Sequence, residues 1–405
     1  MPSVGQAEQA PIGFYAHHQG RGHATRIAQF APHLRRPYAV FTSRPDYFPA
    51  VMQDHVVRLP LDLPEHGRAY PLDVGAPADC LHYAPLQVDG LRRRMASIAD
   101  WIARRRPALF VVDLSVEVAM LARLLGVPTV VTRLQGYRND AAHLACFTNA
   151  RAILCPYPET LEVHPLPAAL RSRAYYTGAY AKTWTSGRSD AVAGAAGMRE
   201  VPSERRGRRR ILVTTGSGGT HFTVEGCREL AGADPRSEVE VVGPVGVPGP
   251  DPLCPNLYFA GFVADLPRRL READLVVCGA GSHTVMEVGA AGKPMVCLAE
   301  DRAFGEQRAK ALGLARAGLA VSPARWPSAR EWPSLLARAE QLDTSRWREL
   351  FVDPTLARAA RFLERIAAES DEVLAPSRPT DPTLPPADVA RARPRSAGRV
   401  FAEAA

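Results

Sequence analysis

Lysine is almost missing from this chain. Lys and Arg together number 50 of the 405 residues, yet only Lys182, Lys293 and Lys310 are lysine. The formal net charge of +8 is therefore an arginine charge. Together with the Ala and Pro bias, it reads as the mark of a GC-rich coding sequence. No stretch approaches the roughly 18 consecutive apolar residues that a membrane span needs. Met1 to Gln9 lacks the basic and apolar regions of a secretory signal, so a cytoplasmic protein is expected. The cysteines (Cys80, Cys146, Cys155, Cys227, Cys254, Cys278 and Cys297) form no C-x-x-C pair. Their odd number and scatter argue against a disulfide framework or a zinc site. Cys278 and Cys297 close apolar runs and read as small core residues. No helix-turn-helix, zinc finger or RNA-binding signature is present, so no nucleic-acid partner is expected. A D-x-D tripeptide, the usual metal-borne grip on a diphosphate, is also missing, and no metal is expected.

What is present is an alternation of short apolar strands and helices. At 405 residues the chain exceeds one ordinary core, and two domains are the prior. Candidate strands at Ile12 to Ala16, Tyr38 to Thr42, near Val56, Leu109 to Val112 and Thr129 to Val131 alternate with helices at Ala24 to Leu34, Leu91 to Arg105 and Val116 to Leu125. After an interruption the rhythm restarts with strands at Ile211 to Thr215, Val239 to Val242, Leu257 to Phe259, Leu275 to Val277 and Met295 to Leu298. Helices near Thr223 to Leu230, Asp265 to Ala273, Ser282 to Ala291 and from Glu306 separate them. Such alternation implies parallel sheets covered on both faces. The expected organisation is an N-terminal domain over 11–182, a Gly-, Ser- and Arg-rich linker over 183–209, a C-terminal domain over 210–340, helices over 341–370, and a disordered tail over 371–405, with the helical pattern over 331–368 broken at Pro333 and Pro354. Each domain is α/β and doubly wound, so ligands are expected at the carboxyl ends of its strands.

Three glycine-bearing loops sit at such ends. In the C-terminal domain, Gly279-Ala280-Gly281 ends an apolar run and a helix starts at Ser282, His283 and Thr284, with Glu287 on its first or second turn. That layout suits a phosphate group: the turn lets an anion approach the backbone, and the helix start offers unpaired N–H groups and the positive end of the dipole. Glu287 is placed to accept hydrogen bonds from two sugar hydroxyls, so one element would hold the diphosphate and ribose of a nucleotide. Thr215-Gly216-Ser217-Gly218-Gly219-Thr220 is the second loop, permissive of close anion approach but without the Gly-Lys-Ser/Thr ending of a P-loop. The third is His17-His18-Gln19-Gly20-Arg21-Gly22-His23. Neither this loop nor Gly279 to Thr284 has the third glycine of a dinucleotide fingerprint, which disfavours a nicotinamide enzyme. His23, where the loop enters its helix, is a candidate general base. Capping, or metal binding by His17, His18 and His23, are the alternatives for this cluster, though the histidines lack the spacing of a zinc motif. Asp113, at a strand end, reads first as a cap for the following helix, with orienting a histidine or binding substrate as the alternative. Arg92 to Arg94, Trp101 and Arg104 to Arg106 make Leu91 to Arg105 either a solvated arginine face on a core helix or a surface for anionic membranes.

The segment from Gly261-Phe262-Val263-Ala264-Asp265-Leu266 through Leu319 resembles the C-terminal domain of family 28 glycosyltransferases, which include the bacterial N-acetylglucosaminyltransferase of peptidoglycan lipid synthesis and plant galactolipid synthases. Gly20-Arg21-Gly22-His23 resembles the family's N-terminal glycine loop ending in histidine. The likeness covers about 211–321 and 12–34 and is poor between about 40 and 205. The resemblance implies the two-domain GT-B fold and metal-independent, inverting transfer from a UDP-sugar donor to an acceptor hydroxyl on a small molecule, glycan or lipid. No separate cofactor is implied, and peripheral contact with the inner face of the membrane is left open. By motif, Gly22, Ser217, Gly218, Gly219, Gly281, Ser282, His283 and Thr284 would line or hold the diphosphate. Val263 would meet the uracil, Glu287 the ribose, Glu306 and Gln307 the donor sugar, and His23 would act as the base or steady the departing phosphate. Phe304-Gly305 stands where relatives often carry an Asp, which leaves the donor sugar open; Glu287 favours a ribonucleotide, with a deoxythymidine diphosphate donor as the alternative. The alternatives are a UDP-N-acetylglucosamine 2-epimerase-like isomerase, which would need acid/base carboxylates in the cleft, and a UDP-sugar-binding protein without catalysis.

Overall fold

The structure is a computed structural model that describes residues 9–64, 80–181, 207–216, 220–352 and 354–374, with side chains through 372. The expected anion-loop residues Ser217, Gly218 and Gly219, nearly all of the expected linker, and the expected tail beyond Leu374 lie outside the described residues.

The first sheet is built from β1 (Ile12–Ala16), β2 (Tyr38–Thr42), β3 (Val56–Arg58), β4 (Leu109–Asp113), β5 (Thr129–Thr132), β6 (Ala152–Cys155) and β7 (Ala174–Tyr176). Its helices are α1 (Gly22–Phe30), α2 (Asp89–Arg105), α3 (Val116–Leu124), α4 (Ala141–Asn149) and α5 (Ala168–Arg171). All seven strands are parallel, in the order β3-β2-β1-β4-β5-β6-β7. Both faces are buried. Ile12, Phe14 and Ala16 of β1 pack on one face with Val40 and Val111, while Tyr15 packs on the other with Phe41, Val112 and Val131. An apolar run without polar alternation is what two covered faces require.

The second sheet has the order β10-β11-β9-β8-β12-β13. Its strands are β8 (Arg210–Thr214), β9 (Glu238–Val242), β10 (Gly249–Pro250), β11 (Leu257–Gly261), β12 (Leu275–Gly279) and β13 (Met295–Leu298), with β10 antiparallel. Helices α6 (Val224–Ala233), α7 (Leu266–Glu272), α8 (Ser282–Ala290), α9 (Glu306–Arg316), α10 (Trp332–Glu340), α11 (Trp347–Leu350) and α12 (Thr355–Leu374) complete the chain. Cys278 and Cys297 are fully buried, as their place at the ends of apolar runs predicts.

Sequence periodicity leaves the region from 133 to 182 without elements, yet α4, β6, α5 and β7 fill it. Their strands are three and four residues long, too short to show a period. Pro333 does not break a helix; it occupies the first turn of α10, where its missing N–H costs nothing. Helix α12 returns to the first sheet. Ala359, Leu363, Ile366 and Ala367 pack with Ala24, Ile27 and Phe30 of α1, and each buried Leu or Ile contributes about 1.5–3 kcal/mol. Arg36 pairs with Asp371 at 2.6 Å and Arg151 with Glu369 at 2.7 Å. Helix α12 thus runs through residues 371–374, where disorder is expected from composition.

Arg94, Ile98 and Ile102 are buried along α2, and Trp101 sets its ring edge against Phe41. The helix therefore turns Trp101 and Arg94 inward and leaves Arg92, Arg93, Arg104, Arg105 and Arg106 exposed. Among the described residues no helix is long and apolar enough to cross a membrane.

Candidate functional site

Strand order decides where the loops meet. In the first sheet the winding reverses between β1 and β4, and in the second between β8 and β12. Such reversals open a crevice beyond the strand ends. Ala16 is paired with Asp113 across β1 and β4, and Thr214 with Cys278 across β8 and β12. Each histidine or glycine loop is thereby delivered to a crevice. The two crevices share one cavity of about 630 Å³, lined from the first domain by residues 17–23 and from the second by Gly216, Gly279, Gly281, Ser282, His283 and Thr284. A methyl group placed on Gly22 would stand 3.8 Å from the His283 ring, so the loops face each other at contact distance. Tyr137 N–H donates to Phe304 O at 2.8 Å and ties the domains beside the cavity. Gly136, at φ +107°, is required there: a Cβ would come within 2.6 Å of Phe304 O.

Nδ1 of His23 lies 3.3 Å from Asp113 Oδ1, and Arg26 donates to the other Asp113 oxygen. Asp113 is not a cap. Ser115 Oγ takes that role by accepting from Val118 N–H, which corrects the expectation from sequence. Burial alone would raise the Asp113 pKa, but the charges of Arg26 and His23 outweigh it and hold the carboxyl below its ordinary range. The two atoms are close without the alignment of a hydrogen bond, and a permanent carboxylate beside Nδ1 favours the tautomer with its proton on Nδ1. That leaves Nε2 as the basic nitrogen.

His17 and His18 stack with ring centroids 4.6 Å apart. Burial, then the neighbouring His23 and His18, lowers the His17 pKa to about 3. The unfolded chain takes up that proton near 6.5 and the folded chain does not, so stability declines as the pH falls from 6.5 towards 3. At pH 5 His17 alone should cost about 2 kcal/mol. Urea titrations at pH 7.5 and 5 should show this loss in the wild type and a smaller one in His17→Gln. Ligand atoms of His17, His18 and Asp62 lie within 4.8 Å of one another. The buried Arg94 guanidinium, bonded to Asp62, already supplies positive charge at that point and would repel a metal cation.

In the second domain, helix α8 is preceded by Gly281 as its cap residue, with no side-chain cap, so the cap position leaves the first N–H groups of the helix to other acceptors. Lys310, fully buried on α9, donates to Ser282 Oγ and lies 3.4 Å from Glu306 Oε1. The hydroxyl of Ser282, with a lone pair occupied by that ammonium, is left to donate its own proton. Burial lowers the Lys310 pKa, opposed by Glu306. Glu306, with Arg138 of the first domain 3.9 Å from its other oxygen, is held below the ordinary carboxylate range because Lys310 and Arg138 outweigh its burial. Gln307 Oε1 accepts from Glu300 N–H at 3.0 Å, leaving its amide N–H groups for the cavity. Glu300 in turn accepts from Thr220 Oγ1 at 2.7 Å and His221 N–H at 3.2 Å, which anchors the chain leaving the second glycine loop.

Of the expected site residues, Gly22, His23, Gly281, Ser282, His283, Thr284, Glu306 and Gln307 line the cavity together. Glu287 is half-buried farther along α8, and Val263 packs on the cluster that holds Val285 and Val288; neither lines the cavity. Sequence reading missed Lys310, Glu300 and Arg138. Lys310 carried a signal, being one of three lysines in the chain; the others carried none.

Residues 210–323 match the glycosyltransferase family 28 C-terminal domain. Over 144 residues the chain is 32% identical to the UDP-N-acetylglucosamine–N-acetylmuramyl-(pentapeptide) pyrophosphoryl-undecaprenol N-acetylglucosamine transferase of Rhodospirillum rubrum, covering 33% of this chain and 34% of that one. With the protein of the same name from Bordetella petrii it shares 33% identity over 156 residues, 34% of this chain and 44% of the relative. The chain thus spans less than half the length of these curated relatives. The glycotransferase of kitacinnamycin has a similar structure, with a TM-score of 0.62 at 18% identity over 89% of this chain and 100% of that one. So does MurG of Acinetobacter baumannii, with a TM-score of 0.57 at 16% identity over 88% of this chain and 99% of that one. The two parallel-sheet domains around one cleft are a GT-B fold. Residues 210–323 are thus similar to the C-terminal domain of family 28 glycosyltransferases, and they form the second half of that fold.

Proposed function

We propose that this protein transfers a sugar from a UDP-sugar to an acceptor hydroxyl, with inversion at the anomeric carbon and without a metal. The observation that carries the reading is the pairing of His23 with Asp113 on one wall of the cleft, facing the uncapped start of α8 on the other. The diphosphate docks on the first N–H groups of α8 and on Ser282, with Lys310 supplying buried positive charge behind them. Glu287 accepts from the ribose hydroxyls, Val263 offers backbone groups to the uracil, and Gln307 donates to the sugar. The acceptor oxygen attacks the anomeric carbon from the first-domain side as the bond to the departing phosphate oxygen breaks. His23 Nε2 takes the hydroxyl proton, and UDP leaves with the bonding electrons.

An epimerase reading needs carboxylates able to exchange protons. The carboxylates lining this cleft each have a partner: Asp113 has Arg26, Glu300 has Arg302 at 2.7 Å, Glu306 has Lys310 and Arg138, Asp62 has Arg94 through one oxygen, and Glu117 accepts from two backbone N–H groups. Anchored acceptors of this kind suit positioning rather than proton transfer.

A panel of UDP-sugars scored by UDP release, with and without candidate acceptors and in the presence of EDTA, tests the reading. Acceptor-dependent release that survives EDTA, with a product of inverted anomeric configuration by NMR, supports it. Sugar isomerised without acceptor sinks it. Glu287→Ala should weaken UDP binding about tenfold or more, since charge-assisted hydrogen bonds are worth about 1.5–3 kcal/mol. Unchanged UDP affinity by calorimetry would remove Glu287 from the ribose site.

A further inference from the structure

The first-domain wall of the cleft holds two buried polar groups that the transfer mechanism does not use. His18 and Asp62 line the cavity with side chains only 10% and 7% exposed. Nδ1 of His18 and Oδ1 of Asp62 stand 3.6 Å apart, beyond hydrogen-bond reach. Among the described residues, neither of these atoms, nor Nε2 of His18, has a hydrogen-bond partner. Buried polar atoms are normally satisfied, and leaving one unsatisfied costs about 1–3 kcal/mol. A hydroxyl is the group that can serve both, donating to the carboxylate while accepting from, or donating to, an imidazole nitrogen.

Around this polar spot the wall is apolar and aromatic. Leu91 and Met95 of α2, Val116 of α3, Phe147 of α4 and Tyr83 line the cavity from the first domain, and Phe304 lines it from the second. Such a surface takes up an apolar body, with few polar groups to set its orientation.

The charges there do not suit an anion. Arg94, fully buried, spends all its N–H groups: Nε and one Nη2 proton on Pro60 O at 3.2 and 2.8 Å, the other Nη2 proton on Ser43 Oγ at 2.7 Å, and the two Nη1 protons on Tyr15 Oη at 2.8 Å and on Asp62 Oδ2. Burial lowers the pKa of both His17 and His18 and keeps them neutral. Glu117 adds a second carboxylate, accepting from the N–H groups of His82 and Tyr83 at 2.6 and 2.5 Å. Arg138 stacks on Phe304 at 4.7 Å and faces Glu306, while Arg21, at the exposed mouth, stacks on Tyr47 at 5.1 Å. Among the described residues, each arginine of the inner wall is therefore already partnered, and Asp62 and Glu117 both add negative charge there.

We propose that this wall binds an uncharged acceptor with an apolar, ring-sized body and two hydroxyls, one presented to His23 for transfer and the other held between His18 and Asp62. The inference rests on the transfer reading above and narrows it: an acceptor whose hydroxyl-bearing part carries a diphosphate is the class this wall disfavours.

The test uses the full chain saturated with UDP, with UDP affinity measured by calorimetry in the same samples. Binding of 2-naphthol and 2,7-dihydroxynaphthalene is followed by fluorescence titration. The expected result is saturable binding of both, with the diol about 5–10-fold tighter, one net hydrogen bond's worth. In His18→Phe the diol-to-naphthol ratio should fall to near one. Leu91→Glu, which puts a carboxylate into the half-buried apolar wall, should weaken both by about tenfold or more. Naphthols that fail to bind the UDP-loaded protein overturn the inference, as does a ratio that survives His18→Phe. Glycosylation of an undecaprenyl-diphosphate-linked monosaccharide in detergent, with no binding of the naphthols, assigns the wall to a lipid diphosphate and also overturns it. Failure of UDP itself to bind counts against the donor reading instead, so the two failures are separable.

Discussion

Replacing His23 with alanine should lower turnover by about 10²–10⁴-fold, the usual contribution of a positioned general base, while UDP affinity stays within about twofold of wild type. The asymmetry follows from the geometry. His23 sits on the first-domain wall with Nδ1 against Asp113, whereas the proposed diphosphate contacts come from α8, Ser282 and Lys310 on the other wall. Removing the imidazole takes away the proton acceptor and leaves those donors in place. Steady-state kinetics with the best donor, paired with calorimetric titration of UDP, checks it. Parallel loss of both quantities would make His23 a donor-binding residue; unchanged turnover would remove it from the chemistry.

Asp113→Asn should be the most damaging single change to the protein as a whole, because Asp113 serves two partners at once. Its charge balances Arg26, whose side chain is 4% exposed. Removing one member of a buried ion pair typically costs about 3–5 kcal/mol, since the remaining charge is left uncompensated. Its other oxygen orients His23, so turnover of the protein that remains folded should fall by about 10²-fold as the imidazole loses its preferred tautomer. Arg26→Met separates the two effects. It also breaks the buried pair and should cost several kcal/mol in urea, yet it leaves the Asp113–His23 contact intact, so turnover per folded molecule should change by less than about tenfold. If Arg26→Met and Asp113→Asn reduce turnover equally, Asp113 acts through stability alone and the dyad reading fails.

The Asp113 case shows why some of the site was legible in the chain and some was not. A carboxylate three residues before a helix has a local explanation, capping, and linear order cannot reveal that Ser115 has already taken that role. Only the parallel register of β1 with β4, which pairs Ala16 with Asp113, brings the carboxylate beside the loop that carries His23. The same applies to Glu300, Arg138 and Lys310, each joined to the site by a partner distant in sequence or by a second domain. Arg94 is a sharper instance. Within a run of three arginines on a helix it looks like surface charge, yet α2 turns it inward, where it meets Asp62, Tyr15 and Ser43. Trp101, a candidate membrane anchor by composition, is turned inward by the same helix onto Phe41.

What sequence alone determined was local: apolar runs that must be covered on both faces, glycine turns at the ends of those runs, and a helix start with no side chain to cap it at Ser282. These depend on the conformational limits of neighbouring residues and on burial of contiguous apolar surface, and both are written along the chain. Tertiary structure alone decided which carboxylate faces which histidine, that α12 returns to the first domain, and that His18 and Asp62 are left buried and unsatisfied in the cleft wall. Those outcomes depend on strand order and on the packing of two sheets against each other. The energy of a buried charge or an unmet hydrogen bond is set by its neighbours in space, whatever their separation along the chain.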